Sequence, residues 1–205
     1  MKLSHVLYKA NDLHKSVAMF RDRGFDVEYG SMRNPHNALI YFSDGPYIEI
    51  LQKAPISKFL KAVLKCIGKA KLAARFDLWK SAQEGFFEIC LETDKDNFDT
   101  EIKTLQSYNQ KFFVTKSQRL DPQNRRLKWK LLFPMENRLP FMMTYFNTDP
   151  KPKNHIHPNG TEKIDVVVFG VEKEFIPIVN ALCHDKTLKI EAGKGIRHIG
   201  FKTNT

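Results

Sequence analysis

The sequence predicts an α+β fold built on a duplicated strand–helix–strand–strand–strand unit, and three observations carry that prediction. Three segments share one apolar comb at i, i+4, i+7: Leu13, Val17 and Phe20; Phe98, Ile102 and Leu105; Phe175, Val179 and Leu182. Each comb is a single stripe of an amphipathic helix laid against a sheet. A strand-like run precedes each one (His5 to Lys9, Phe86 to Thr93, Ile164 to Val171), and turn residues separate the apolar runs that follow. The combs recur about every 80 residues, a period that fits a copied module and not a solenoid.

The first unit, residues 1–52, begins with the strand Ser4-His5-Val6-Leu7-Tyr8 and a helix from about Asp12. Strands follow at Asp26 to Gly30, Asn37 to Phe42 and Tyr47 to Leu51. The turn Ser43-Asp44-Gly45-Pro46 makes the last two a hairpin. Gly24 and Asn109 each fall four residues after their comb, where a left-handed helix cap belongs. Residues 53–84 read as a basic helical connector. Between Lys53 and Lys80, the basic residues Lys53, Lys58, Lys61, Lys65, Lys69, Lys71, Arg75 and Lys80 face one acid, Asp77, over an apolar stripe of Leu60, Val63, Leu64 and Ile67. Such a segment either covers the sheet with its lysines in water or lies on an anionic membrane surface. No aromatic residues alternate with its charges as single-strand binding needs, so nucleic acid is not an expected partner.

The second unit, residues 85–148, offers strands at Lys111 to Gln118, Leu127 to Phe133 and Phe141 to Phe146. Asp121-Pro122-Gln123-Asn124 and Pro134-Met135-Glu136-Asn137 are its turns. Residues 149–160 hold three prolines and read as a linker. Residues 161–205 form a partial third unit: a strand, a helix and two short strands around Ala192-Gly193-Lys194-Gly195. An unfinished unit leaves a sheet edge that could pair across a homodimer, while two modules in one chain can also close as a monomer.

Bulk properties narrow the class. Thirty-three Lys and Arg against 23 Asp and Glu give a net charge of +10 in 205 residues. That bias suits either an anionic partner or a lysine-rich soluble surface, and it says nothing of fold. No run of 18 apolar residues occurs and the N-terminus lacks a signal-peptide core, so a soluble cytoplasmic protein is expected. Cys66, Cys90 and Cys183 are unclustered, as reduced thiols would be. Serine-elbow, phosphate-loop, dinucleotide and Cys-x-x-Cys patterns are all missing.

His5 on the first strand and Glu49 on the last are the leading chemical pair, since a curled unit sets its outer-numbered strands side by side. Imidazole plus carboxylate is half of a divalent-metal site. The pair could equally act without metal as acid and base. His36-Asn37 opens the strand beside Glu49 and could hold a substrate carbonyl. Arg126, Lys128 and Lys130 alternate with Leu127, Trp129 and Leu131, so one face is cationic and the other apolar. Either face could line a pocket, and Arg126 would offer a bidentate fork to an anion. His155-Ile156-His157 has metal-binding spacing for a strand, but in a Pro-bounded linker it reads as a turn.

Several stretches together resemble the glyoxalase / vicinal-oxygen-chelate superfamily, and more narrowly its glyoxalase-like domain group of largely uncharacterised bacterial proteins. They are Ser4-His5-Val6-Leu7-Tyr8 with Asp12-Leu13, His36-Asn37-Ala38-Leu39, and Asp44-Gly45-Pro46-Tyr47-Ile48-Glu49-Ile50. In the second half they are Arg126 to Pro134 and His157-Pro158-Asn159-Gly160. The resemblance spans nearly all of the chain outside 53–84. It implies paired βαβββ modules forming a curled, cup-shaped mixed sheet, helices outside, around a small-molecule site. In its metal-dependent members each module gives one ligand from its first strand and one from its last. Here the first module supplies His5 and Glu49, and matching Pro46-Tyr47-Ile48-Glu49 to Pro140-Phe141-Met142-Met143 puts Met143 at the final position. A thioether does not replace a carboxylate for Zn, Ni, Mn or Fe. Glu88 or Cys90 is the candidate third ligand. The expected chemistry is that of a small-molecule enzyme (lyase, isomerase or dioxygenase type) acting on an anionic or carbonyl compound, with His36, Asn37, Tyr47, Arg126 and Trp129 around the substrate. The alternative is a non-catalytic protein of the same fold that binds or sequesters such a compound.

Overall fold

Two strands from different modules form the spine of the molecule: β1 (Lys2–Lys9) and β5 (Gly85–Thr93) run antiparallel, with His5 opposite Cys90. The structure is a computed structural model that describes residues 1–53, 66 and 68–204. On one side of the spine the first module adds β4 (Tyr47–Leu51), β3 (Asn37–Ile40) and β2 (Glu28–Tyr29). On the other side the second module adds β8 (Phe141–Thr144), β7 (Arg126–Pro134) and β6 (Phe112–Leu120). Each first strand lies parallel to the last strand of its own module, which is the arrangement the duplicated unit predicts.

The sheet curls until its edges are bridged. Arg119 of β6 donates to Gly30 O at 2.7 Å and to the Tyr41 hydroxyl at 2.9 Å, and Gln123 donates to Glu28 Oε2 at 3.2 Å. Helices α1 (Leu13–Asp22), α3 (Asp99–Ser107) and α4 (Ile176–Leu182) share a core with Val6, Ile48, Ile50, Ile89 and Leu91 on the outer face. Their buried positions include Leu13, Val17 and Phe20 from the first comb, Phe98 and Leu105 from the second, and Phe175, Val179 and Leu182 from the third. Asp12 caps α1 through Oδ1, which accepts from the amides of His14 and Lys15. Gly24 and Asn109 adopt φ of +77° and +55°, the left-handed conformation expected after each comb.

One helix departs from the expected plan. Instead of lying outside, α2 (Ala70–Ser81) packs its Leu72, Ala73 and Trp79 into the concave face against Leu7, Cys90, Phe133, Phe141 and Met143. Arg75 belongs to this buried face and not to a solvated basic one. It donates to the carbonyls of Pro134, Glu136 and Leu139 at 3.1, 2.9 and 3.0 Å. The stripe Leu60, Val63, Leu64 and Ile67, with Lys58, Lys61 and Lys65, lies outside the described residues.

The third unit makes a separate small sheet in the order β10 (Leu188–Ala192), β9 (Thr161–Val171), β11 (Gly195–Thr203). It closes over the outer core, where Phe201 of β11 meets Phe25 at 5.6 Å and Phe42 at 6.3 Å. Among the described residues no helix is long and apolar enough to cross a membrane.

Candidate functional site

Because β1 and β4 are parallel neighbours with Leu7 opposite Glu49, His5 and Glu49 project from one face of adjacent strands. His5 Nε2 lies 3.4 Å from Glu49 Oε2. Asn37, at the start of β3, donates its amide to Glu49 Oε1 at 2.8 Å. Gly30 makes room for that amide: a Cβ there would stand 2.0 Å from Asn37 Oδ1. On the other side of the imidazole, Ser4 Oγ donates to Met143 Sδ at 3.3 Å and sits 3.0 Å from His5 Nδ1. A hydroxyl carries one proton. With it directed at the sulfur, His5 holds its own proton on Nδ1 and turns a lone pair at Nε2 toward Glu49.

Burial works against charge on both partners. Burial, then the charge of Lys151, pushes the His5 imidazole down to about 3. Burial pushes the Glu49 carboxyl up, opposed by the Asn37 hydrogen bond and by the charge of Arg119. Tyr47 stacks on the imidazole at 4.6 Å and Phe141 meets it edge-on at 5.8 Å. Of the two groups, the carboxyl is the reachable one: its side chain is 19% exposed against 3% for His5. Such a carboxyl can give or take a proton with a neutral acceptor beside it.

The second module repeats the ladder and changes every polar group. Cys90 stands opposite Phe141 as His5 stands opposite Tyr47, so Cys90 occupies the His5 position and Met143 the Glu49 position. One strand further, Leu131 pairs with Met143 as Leu39 pairs with Glu49, which makes Trp129 the counterpart of Asn37. The Cys90 thiol donates to Leu91 O at 3.4 Å. Glu88 is turned toward Arg75 Nη1, 3.6 Å away. Neither joins the His5–Glu49 pair: among the described residues no third His, Cys, Asp or Glu ligand atom completes a cluster of 4.8 Å with them. The donor set fits half of a site for Zn, Ni, Mn or Fe and lacks the other half.

Other expected residues scatter. His36 is half-buried, its carbonyl accepts from Gln52 N at 3.0 Å, and its partner Asn37 alone touches Glu49. Arg126 is exposed and shares the outer face with Lys128, because strand alternation sends Leu127 and Trp129 inward. The arginine that faces the cup is Arg119, on the same face as its pairing partner Leu127. Its sequence signal was the alternation of Phe113, Thr115, Ser117 and Arg119, which is too mixed to stand out. Trp129 packs on Phe146 at 5.2 Å and borders a cleft of about 790 Å³ with Lys116, Lys128 and Lys130.

A second constellation was only half visible in the sequence. The 155–160 segment folds back onto the α1–β2 turn, where Asn159 N donates to Gly24 O at 3.1 Å. This brings His155 and His157 to Asp26, the one group of three or more potential metal-ligating residues among the described residues. His155 therefore belongs to a cluster as well as to a turn. Burial pushes the His157 imidazole down to about 4, aided by the neighbouring His155.

Comparison with known proteins agrees with this architecture. The glyoxalase-like domain family matches residues 3–177. A hypothetical protein from Staphylococcus aureus superposes with a TM-score of 0.66 at 19% identity, covering 95% of this chain and 87% of that one. The Mn(II)-bound glyoxalase from Novosphingobium aromaticivorans gives 0.60 at 11% identity, covering 98% of this chain and 64% of that one. A xylose isomerase-like TIM barrel/4-hydroxyphenylpyruvate dioxygenase fusion protein gives 0.51 at 11% identity, over 98% and 36%. These likenesses show the fold. No curated protein matches the chain.

Proposed function

The chain belongs to the glyoxalase-like domain family, and from that premise we propose that it is a small-molecule enzyme whose reacting group is the Glu49 carboxyl. The observation that carries this reading is the directed environment of that carboxyl. Oε1 is fixed by Asn37, Oε2 faces the Nε2 lone pair of a neutral histidine at 3.4 Å, and the side chain still reaches solvent. Burial pushes this carboxyl up, the direction that makes its ionised form a stronger base for proton transfer. As Glu49 takes a proton from a carbon next to a carbonyl, Oε2–H can donate to His5 Nε2, which stabilises the protonated state. Arg119 supplies the positive charge on that side of the cup, so the substrate class is a small carbonyl compound bearing an anionic group.

His5 and Glu49 would hold two positions of an ion such as Mn or Zn. The matching positions of the second module carry a thioether and a carbonyl-bound thiol, a set that does not complete the coordination of such an ion. Proton transfer is therefore assigned to the carboxyl itself. The test is solvent-deuterium exchange, followed by NMR, over a panel of small 2-oxo acids with purified protein. Exchange into one class, lost in Glu49→Gln, is the expected result. Failure of exchange and turnover, together with tight binding of a compound recovered from cells, replaces this reading with a sequestering protein. The filling of half the cup by α2 is the observation that favours that alternative.

A further inference from the structure

We propose that Asp26, His155 and His157 form a divalent-cation site, separate from the His5–Glu49 pair, that takes Zn²⁺ or a similar borderline ion. Spacing is the first support. His155 Nε2 lies 3.2 Å from Asp26 Oδ2 and 3.4 Å from His157 Nδ1. With metal–ligand bonds of about 2.0–2.1 Å, the edge of a coordination tetrahedron is about 3.3 Å, so both separations already match a shared ion. Two imidazoles and one carboxylate are a donor set that zinc accepts, leaving a fourth position for water or an anionic oxygen.

The ligand atoms are also held in place. His155 N donates to Ser43 Oγ at 2.6 Å, and His157 N donates to Thr161 O at 3.0 Å. The edges of Phe25 and Phe42 close on the His157 ring, with centroids at 5.2 and 4.9 Å. Asp26 N–H donates to His157 Nδ1 at 3.1 Å, so that nitrogen is the unprotonated one, with its lone pair on the cluster side of the ring engaged by the Asp26 amide. The other nitrogen, Nε2, is buried and carries the proton. Metal binding would exchange the Asp26 N–H contact for a bond to the ion. Asp26 and His155 line a cleft of about 650 Å³ that also carries Arg21, Arg125 and Lys151. The fourth ligand would enter from that cleft, and its cationic border suits an anionic one.

The experiment titrates Zn²⁺ alone into the metal-stripped full chain by calorimetry, with ¹⁵N spectra recorded in parallel. The expected result is one ion per chain and a shift of the Asp26 amide resonance. Asp26→Asn and His155→Ala, both at surface-accessible positions, should weaken binding by more than about 10-fold. His5→Gln and Glu49→Gln should leave it unchanged, which separates this site from the proposed reacting pair. Absence of stoichiometric binding overturns the proposal. So does binding that survives Asp26→Asn and His155→Ala but is lost in His5→Gln.

Discussion

The two halves of the cup share one backbone ladder and differ at every side chain that matters. His5, Glu49, Tyr47 and Asn37 in the first module become Cys90, Met143, Phe141 and Trp129 in the second. The first half gathers an imidazole, a carboxyl and an amide, with the carboxyl in reach of water. The second half is a packed apolar surface, and α2 is the element that covers it: Trp79 meets Phe141 at 5.1 Å and Phe76 meets Phe133 at 5.7 Å. Duplication thus supplied a frame with two equivalent positions for chemistry. One holds the His5 imidazole beside the Glu49 carboxyl, while the other is core.

The largest effect should come from asking each half for activity. Once an exchanging substrate is in hand, Glu49→Gln should lower kcat by about 10²–10⁴-fold, the range for a removed general acid or base. Met143→Leu, a volume-conserving change in the equivalent position, should stay near the wild-type rate and cost under about 1.5 kcal/mol of stability. Equal losses in both variants would break the asymmetry.

Stability should show the opposite pattern. Trp79→Ala should cost about 3–5 kcal/mol in urea unfolding, the usual result of emptying a buried aromatic site. Tyr47→Phe, which keeps the ring that stacks on His5, should cost much less.

Titration offers a third discrimination. Burial pushes Glu88 up to about 7, against the pull of Arg75. The folded chain therefore binds this proton more tightly than the unfolded one. That contribution is complete at low pH and is lost as pH rises from the ordinary carboxylate range through about 7. Between about pH 5 and pH 8 wild-type stability should fall relative to Glu88→Gln by on the order of 2 kcal/mol. A difference of the opposite sign would mean that the Arg75 pairing dominates.

The smallest effect belongs to the support of Glu49. Asn37→Ala removes a hydrogen bond that favours the ionised carboxyl, so the lower limb of the pH–rate profile should move up while folding is nearly unchanged. Gly30→Ala should move it the same way by displacing the amide.

Local signals carried much of this fold. The apolar combs became the outer helices, the caps at Gly24 and Asn109 took left-handed φ, and the hairpin turns fell between the strands. Those features depend on residues within a few positions of each other, where helical and strand periodicity are directly readable. The His5–Glu49 contact followed from topology, and residue matching found Met143 at the pseudo-equivalent position. Arg126 shows where such reading stops: alternation divides a strand into two faces, but it cannot say which one the cup receives.

By itself, then, the sequence determined the module, its duplication and the polar character of one half. Only the tertiary structure decided that α2 enters the cup, that Arg119 and not Arg126 faces it, and that Asp26 meets two histidines some 130 residues away. The physical reason is common to all three. Each depends on how separately formed elements close on one another, and such long-range contacts leave no periodic trace along the chain.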